Sequence, residues 1–208
     1  QKLANVGSFV KYIYDRHLNI KFFLTGSSSL EIKQKIKETL TGRKIEFFLT
    51  PLGLDEILGY QGINVNLLHG SFGQTDQILN EYLLYGGYPS VVTAVGSEDK
   101  VRKLKEIAES YVIGDVLNLF KISSETELRT VAIYLAQNTG GILSKEGLGQ
   151  LAGISKYEIE KIILALEKSF IIFLVRPFSK NSAKEMVHRP KVYYYDLGIR
   201  NALLRRLE

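Results

Sequence analysis

Apolar residues recur along this chain at two periods, and the change from one to the other divides it into elements. Val6, Phe9, Val10, Ile13 and Tyr14 stand at helical spacing and predict an amphipathic helix over residues 1–15. Residues 20–24 follow as a short run, apolar except for Lys21 and carrying two adjacent phenylalanines, the composition of a central strand covered on both faces. That strand stops at Thr25-Gly26-Ser27-Ser28-Ser29. A helix bearing Leu30, Lys33, Lys35 and Lys37 is expected next, ending at Thr41-Gly42, where glycine suits a C-terminal stop. Residues 45–49 then predict a second strand, broken at Pro51.

Four glycines, Gly59, Gly62, Gly70 and Gly73, interrupt the pattern and predict a connection between domains. Helical spacing returns with Ile78, Leu79, Tyr82 and Leu83, and is stopped by Gly86-Gly87 with Pro89 beyond. A long stripe of Val101, Leu104, Ile107, Ala108, Tyr111, Val112, Val116, Leu119 and Phe120 predicts one helix over residues 99–120. Ser124 with Glu127, and Ser155 with Glu158, form capping-box patterns ahead of two further helices. Between them Ile142-Leu143-Ser144 precedes a short helix, Lys145–Ala152, that ends at Gly153. Residues 170–175 and 192–195 read as strands on either side of a polar loop at Asn181-Ser182. Helix, short helix, glycine-containing turn, helix and two strands is the order of a winged helix, with its recognition helix at Lys156–Lys168. The expected domains are therefore residues 1–59, residues 60–122 as a helical lid, and residues 123–208.

Composition narrows the chemistry. Among 208 residues there is no cysteine, which excludes thiolate metal sites and disulfides, and the three histidines, His17, His69 and His188, have no ligand spacing. No metal site is expected. The longest apolar run, residues 170–175, is far short of the roughly 18 residues of a membrane span, and the amino terminus lacks a signal-peptide pattern. A cytoplasmic protein with no membrane partner is expected. The net charge is +5, but residues 176–206 hold eight basic side chains against only Glu185 and Asp196, so an anionic partner should be met by the carboxyl-terminal third. For DNA the candidates are Lys156, Tyr157 and Lys161 on the recognition helix and Lys180, Lys184, Arg189 and Lys191 on the wing. Glu158, Glu160 and Glu167 neutralise the helix, which leaves the wing as the stronger site for phosphates.

Small hydroxyl residues at the carboxyl end of a strand are suited to phosphate, although Ser29 could equally be a helix cap. At these positions the sequence resembles a known family. Phe22-Phe23-Leu24-Thr25-Gly26-Ser27-Ser28-Ser29, Leu40-Thr41-Gly42-Arg43 and Thr50-Pro51-Leu52 with Glu56 look like the sensor and arginine region of AAA-type ATPases of archaea and bacteria. The resemblance implies that Thr25 or Ser27 senses the γ-phosphate and that Arg43 is a finger, often acting across a subunit interface in a homo-oligomer. Gly87-Tyr88-Pro89 looks like the lid motif whose proline packs on the nucleotide, while a bare helix stop explains the same residues. The run Tyr194-Tyr195-Asp196-Leu197-Gly198 resembles the family's segment leading into a restriction-nuclease-like domain, and Asp196 has no partner that sequence reveals.

The chain contains no GxxxxGK[ST] loop. It is accordingly expected to be the sensor half of a P-loop ATPase, an α/β remnant followed by a mainly helical lid and a winged-helix (α+β) domain. The nucleotide-binding first half is expected to lie elsewhere. ATP and magnesium are implied for the full-length protein, with neither expected on this chain. The competing expectation is a free-standing winged-helix DNA-binding or scaffold protein without nucleotide chemistry.

Overall fold

Three serines set the start of three helices by the same local device. In the computed structural model, which describes residues 6–16, 20–25, 42–63, 72–178 and 188–207, the side chains of Ser124, Ser144 and Ser155 accept the backbone N–H of Glu127, Gly147 and Glu158. Each satisfies an N–H that a helix start leaves without an intrahelical acceptor. Gly153, at φ 66°, closes the short middle helix in the left-handed conformation that glycine adopts without a Cβ penalty.

The described elements are, in order, α1 (Val6–Asp15), α2 (Leu54–Tyr60), α3 (Phe72–Tyr85), α4 (Pro89–Val92), α5 (Ser97–Ile107), a π-helical segment (Ala108–Asp115), α6 (Val116–Leu119), α7 (Glu125–Gln137), α8 (Lys145–Ala152), α9 (Lys156–Lys168), β1 (Ile172–Val175), β2 (Lys191–Tyr194) and α10 (Leu197–Leu203). β1 and β2 pair antiparallel with Ile172 opposite Tyr194 and Val175 opposite Lys191, and Ile142 adds an isolated bridge to Lys191. The described fold is thus mostly helical with one small two-stranded sheet. No described helix is long and apolar enough to cross a membrane.

Two compact units divide the chain, residues Gln1–Leu49 and Thr50–Glu208. In the first, α1 buries Val10, and Arg16 lies 4.3 Å from the centre of the Tyr12 ring. The strands expected at residues 20–24 and 45–49 are not formed among the described residues, and Phe23 (81% exposed) and Leu49 (91% exposed) lie in the open. A strand owes its stability to ladder bonds from neighbours, and a central one needs a neighbour on each edge. Among the described residues neither run joins a sheet, and the helix expected between them lies outside the described residues.

In the second unit, one core holds Leu104, Val112 and Val116 from the α5–π–α6 rod, Leu128 and Leu135 from α7, Ile159, Ile162 and Leu166 from α9, and Ile172 and Ile199. The lid and winged-helix regions expected as separate domains share this core. Likewise α2, expected to end the first domain, packs Ile57 and Leu58 against Ile78 of α3. The two compact units divide at Leu49–Thr50, so α2 lies in the second.

Candidate functional site

The turn at residues 86–89 is held from several sides by distant parts of the second unit. Helix α3 ends at Tyr85, Gly86 takes φ 74°, and Pro89 opens α4 with its fixed φ suited to a first helical position. Both polar atoms of the Gly87 peptide group are taken by distant chain: its carbonyl accepts Leu52 N–H at 2.8 Å, and its N–H donates to Asp196 Oδ2 at 2.7 Å. The other carboxylate oxygen, Oδ1, accepts Ile199 N–H at 2.9 Å and caps α10. Asp196 is only 5% exposed.

Helix α3 ends where its acceptors are taken over. Carbonyls of the last turn lack intrahelical donors, and here Asn201, 7% exposed, supplies its side-chain amide to Leu83 O at 3.0 Å and Leu84 O at 2.9 Å. Close approach is enforced by glycine. A Cβ on Gly87 would lie 2.0 Å from Leu52 O, one on Gly86 2.2 Å from Asp196 Oδ1, and one on Gly198 2.1 Å from Tyr85 O.

Burial dominates the electrostatics. It raises the Asp196 carboxyl above the ordinary aspartate value, while the backbone N–H groups of Gly87, Ile199 and Gly198 pull it back. Burial also raises Tyr88, helped by Tyr111 and by Asp196. Tyr111 and Tyr194 are raised chiefly by burial; their hydroxyls donate to Ser169 O at 2.7 Å and Ala132 O at 2.6 Å. The outer side of the turn differs. Pro89 is exposed and Tyr88 half-buried. An open cavity of about 730 Å³ between α3 and the start of α5 is lined by Asp76, Glu81, Tyr85, Ser97 and Lys100, a volume within the range of small-ligand sites. Lys100 is paired there with Glu81 at 2.5 Å.

Of the residues singled out from sequence, Gly87, Tyr88 and Pro89 are brought together in this turn. Thr25 is exposed, and Ser27, Lys180 and Lys184 lie outside the described residues. Arg43, following Gly42 at φ 76°, donates its Nε to Asp15 at 2.9 Å across the first unit. At the start of α9, Lys156 and Tyr157 are exposed, Tyr157 to 74%. Lys161 instead donates to Lys121 O at 2.9 Å and to Glu158 at 3.4 Å, and Arg189 meets Glu146 at 3.2 Å and Ser144 Oγ at 3.5 Å. Lys191 begins β2 with its side chain exposed. Asn201 went unidentified from sequence, and Asp196 and Gly198 were noted there only within the run Tyr194–Gly198, with no partner for Asp196. The signal available was an aspartate ahead of Leu197-Gly198-Ile199, which marks a helix cap but does not name a second partner.

Residues 76–208 match a family described as a domain of unknown function (DUF8612), and residues 1–58 match the AAA domain. An uncharacterized protein of Methanocaldococcus jannaschii is 25% identical over 203 residues, covering 94% of this chain and 45% of the relative. One of Haemophilus influenzae is 24% identical over 187 residues, covering 88% and 45%, and one of Mycobacterium bovis is 21% identical over 205 residues, covering 98% and 43%. The chain thus spans under half the length of these relatives. No solved structure matches.

Proposed function

The chain belongs to the family described as a domain of unknown function (DUF8612), and we propose that it serves as the sensor, lid and partner-contact part of an AAA-type ATPase. The AAA-like relationship of residues 1–58 supports the class. The observation that carries the reading to a site is the turn at residues 86–89, in which the Gly87 N–H and carbonyl are both taken by distant chain while Pro89 is exposed. On this reading Pro89 packs on the nucleotide, Thr25 or Ser27 senses the γ-phosphate, and Arg43 exchanges Asp15 for phosphate when a subunit interface forms in a homo-oligomer.

On this reading the turn offers a nucleotide a packing surface and not a phosphate cradle. The Gly87 N–H points at Asp196, and Arg43 is engaged by Asp15. ATP and magnesium therefore belong, in this proposal, to the longer protein. Arg43→Ala in that protein should lower ATP turnover by about 1,000-fold or more, the scale of an arginine finger. Unchanged turnover would reduce Arg43 to a surface charge.

Residues 124–207 are proposed to be a winged helix, from the order α7, the Ile142 bridge, α8, α9, β1 and β2. Its exposed face favours a protein partner over duplex DNA. Lys161, Arg189 and Lys145 are each met by a carboxylate, whereas Leu151, Tyr157 and Leu164 are exposed. Phosphate neutralisation dominates duplex affinity, and paired cations supply it poorly.

A further inference from the structure

We propose that Asp196 and Asn201 are positioning residues, a clasp through which α10 fixes the turn at residues 86–89 in the place from which Pro89 meets its ligand. That ligand is an adenine nucleotide on the reading given above, on which this inference rests. The clasp itself rests on geometry alone.

Three side chains are buried and polar among the described residues, Ser169, Asp196 and Asn201, and two of them belong to this contact. Burying a polar group is unfavourable unless every bond it gives up to water is replaced. Here each replacement is directional. Asp196 divides its two oxygens between Gly87 N–H and Ile199 N–H, so one carboxylate joins the turn to the first turn of a helix 109 residues away. Asn201, on the same helix, takes the carbonyls of Leu83 and Leu84. In a continuing α-helix those carbonyls would accept from residues 87 and 88. The Gly87 N–H is instead turned toward Asp196, and Asn201 fills the acceptor it left. Helix α3 is thereby ended, and the turn re-aimed, by two side chains of α10.

Apolar contact alone would hold α10 against α3 without fixing either element along the other, since burial is not directional. The two polar side chains set the register. Glycines at 86, 87 and 198 permit the close approach that this register needs, because a Cβ at any of them would lie within 2.5 Å of Asp196 or of backbone oxygen. The result is a turn locked on its inner side and open on its outer side.

Asp196→Ser separates the clasp from the helix cap. Serine still caps Ile199, but its shorter side chain does not reach Gly87. Amide hydrogen exchange on this chain should show Gly87 losing protection by about tenfold or more, the scale of one bond to a charged group, with Ile199 still protected. In the longer protein the same variant should raise the KM for ATP by about tenfold while kcat changes less, since binding common to ground and transition states appears in KM. A merely structural defect would lower the active fraction, hence kcat, and leave KM in place. Should the serine variant fold poorly, Asp196→Asn keeps the side-chain size and one acceptor. It should expose either Gly87 or Ile199 to exchange, but not both.

Unchanged protection of Gly87 in both variants would overturn the clasp. Lost protection with an unchanged KM would overturn the positioning role, and with it the nucleotide-facing reading of the turn. A longer protein that binds no ATP at all would overturn that reading on its own, the exchange result still deciding the clasp.

Discussion

Adding one methyl group at Gly198 tests how closely α10 and α3 approach. The Cβ of an alanine there would lie 2.1 Å from Tyr85 O, 2.4 Å from Tyr85 C and 2.9 Å from Leu104 Cδ2. The first two are backbone atoms at the end of α3, which no rotamer change can move aside. Gly198 has no positive φ, so the substitution carries no backbone strain and its whole effect is steric. Overpacking of this kind costs about 1–3 kcal/mol. Parting the helices also stretches the Asn201 bonds to Leu83 and Leu84 and the Asp196 bond to Gly87, at about 1 kcal/mol each for an ordinary hydrogen bond. A loss of about 4–6 kcal/mol follows, which for a chain of this size lowers the midpoint of thermal unfolding by roughly 8–24 °C. Calorimetry on purified Gly198→Ala measures it. The same change at Gly73, where a Cβ meets nothing within 4 Å, should leave the midpoint unchanged or raise it by a few degrees, because alanine is the better helix former by up to about 1 kcal/mol. A Gly198→Ala midpoint within about 1 °C of wild type would refute the close approach, since even 1 kcal/mol moves a chain of this size by about 2–4 °C.

Asp196 gives a pH dependence of defined sign. Its folded pKa is raised, so the folded state holds the proton more tightly and the favourable contribution, complete below the unfolded value near 4, is lost as pH rises toward the folded value. The stability of wild type relative to Asp196→Asn should fall in urea titrations as pH rises above about 4, and a rise would contradict the burial argument. Glu109, lowered chiefly by its bond to Arg129, should behave oppositely: Glu109→Gln should lose stability relative to wild type as pH climbs toward about 4.3 and differ from it by a constant amount above that. Lys161→Ala and Arg189→Ala should each change duplex affinity by no more than about twofold in anisotropy titrations, because both cations are already paired; a salt slope flattened by about 0.9 on either change would show a phosphate contact.

The local half of this fold was legible. Ser124 and Ser155 with their glutamates three residues on, Gly153 at the end of α8 and the stripe from Val101 to Leu119 are patterns within one or two turns of helix. Each stands where the spacing placed it, with caps from Ser124 and Ser155 and a rod over residues 97–119. The π-helical segment inside that rod was not legible, since Val112 and Ile113 are both buried and a one-residue shift of the stripe leaves the apolar pattern intact. Residues 20–24 and 45–49 show the converse failure. Their apolar composition is that of strands, but a strand is a relation between segments, and composition does not say whether a neighbour is present.

The candidate site divides in the same way. Gly86-Gly87-Tyr88-Pro89 announces itself, because a turn after a helix needs those residue types within four positions. What fixes the turn lies 109 residues on, and an aspartate reaching it looks, from its own neighbourhood, like any helix cap. The cap accounts for one oxygen of Asp196 and is complete without the other. The second oxygen carries the long-range bond, and no local pattern asks for it. Glycines 86, 87 and 198 are the trace that contact leaves in the sequence, since each marks a place where another backbone or carboxylate comes too near for a side chain. Gly198 is the informative one: at the second position of a seven-residue helix, without positive φ, its absence of a side chain has no conformational reason. A glycine in a helix that needs none points to a neighbour in close approach, and here that neighbour is the end of α3.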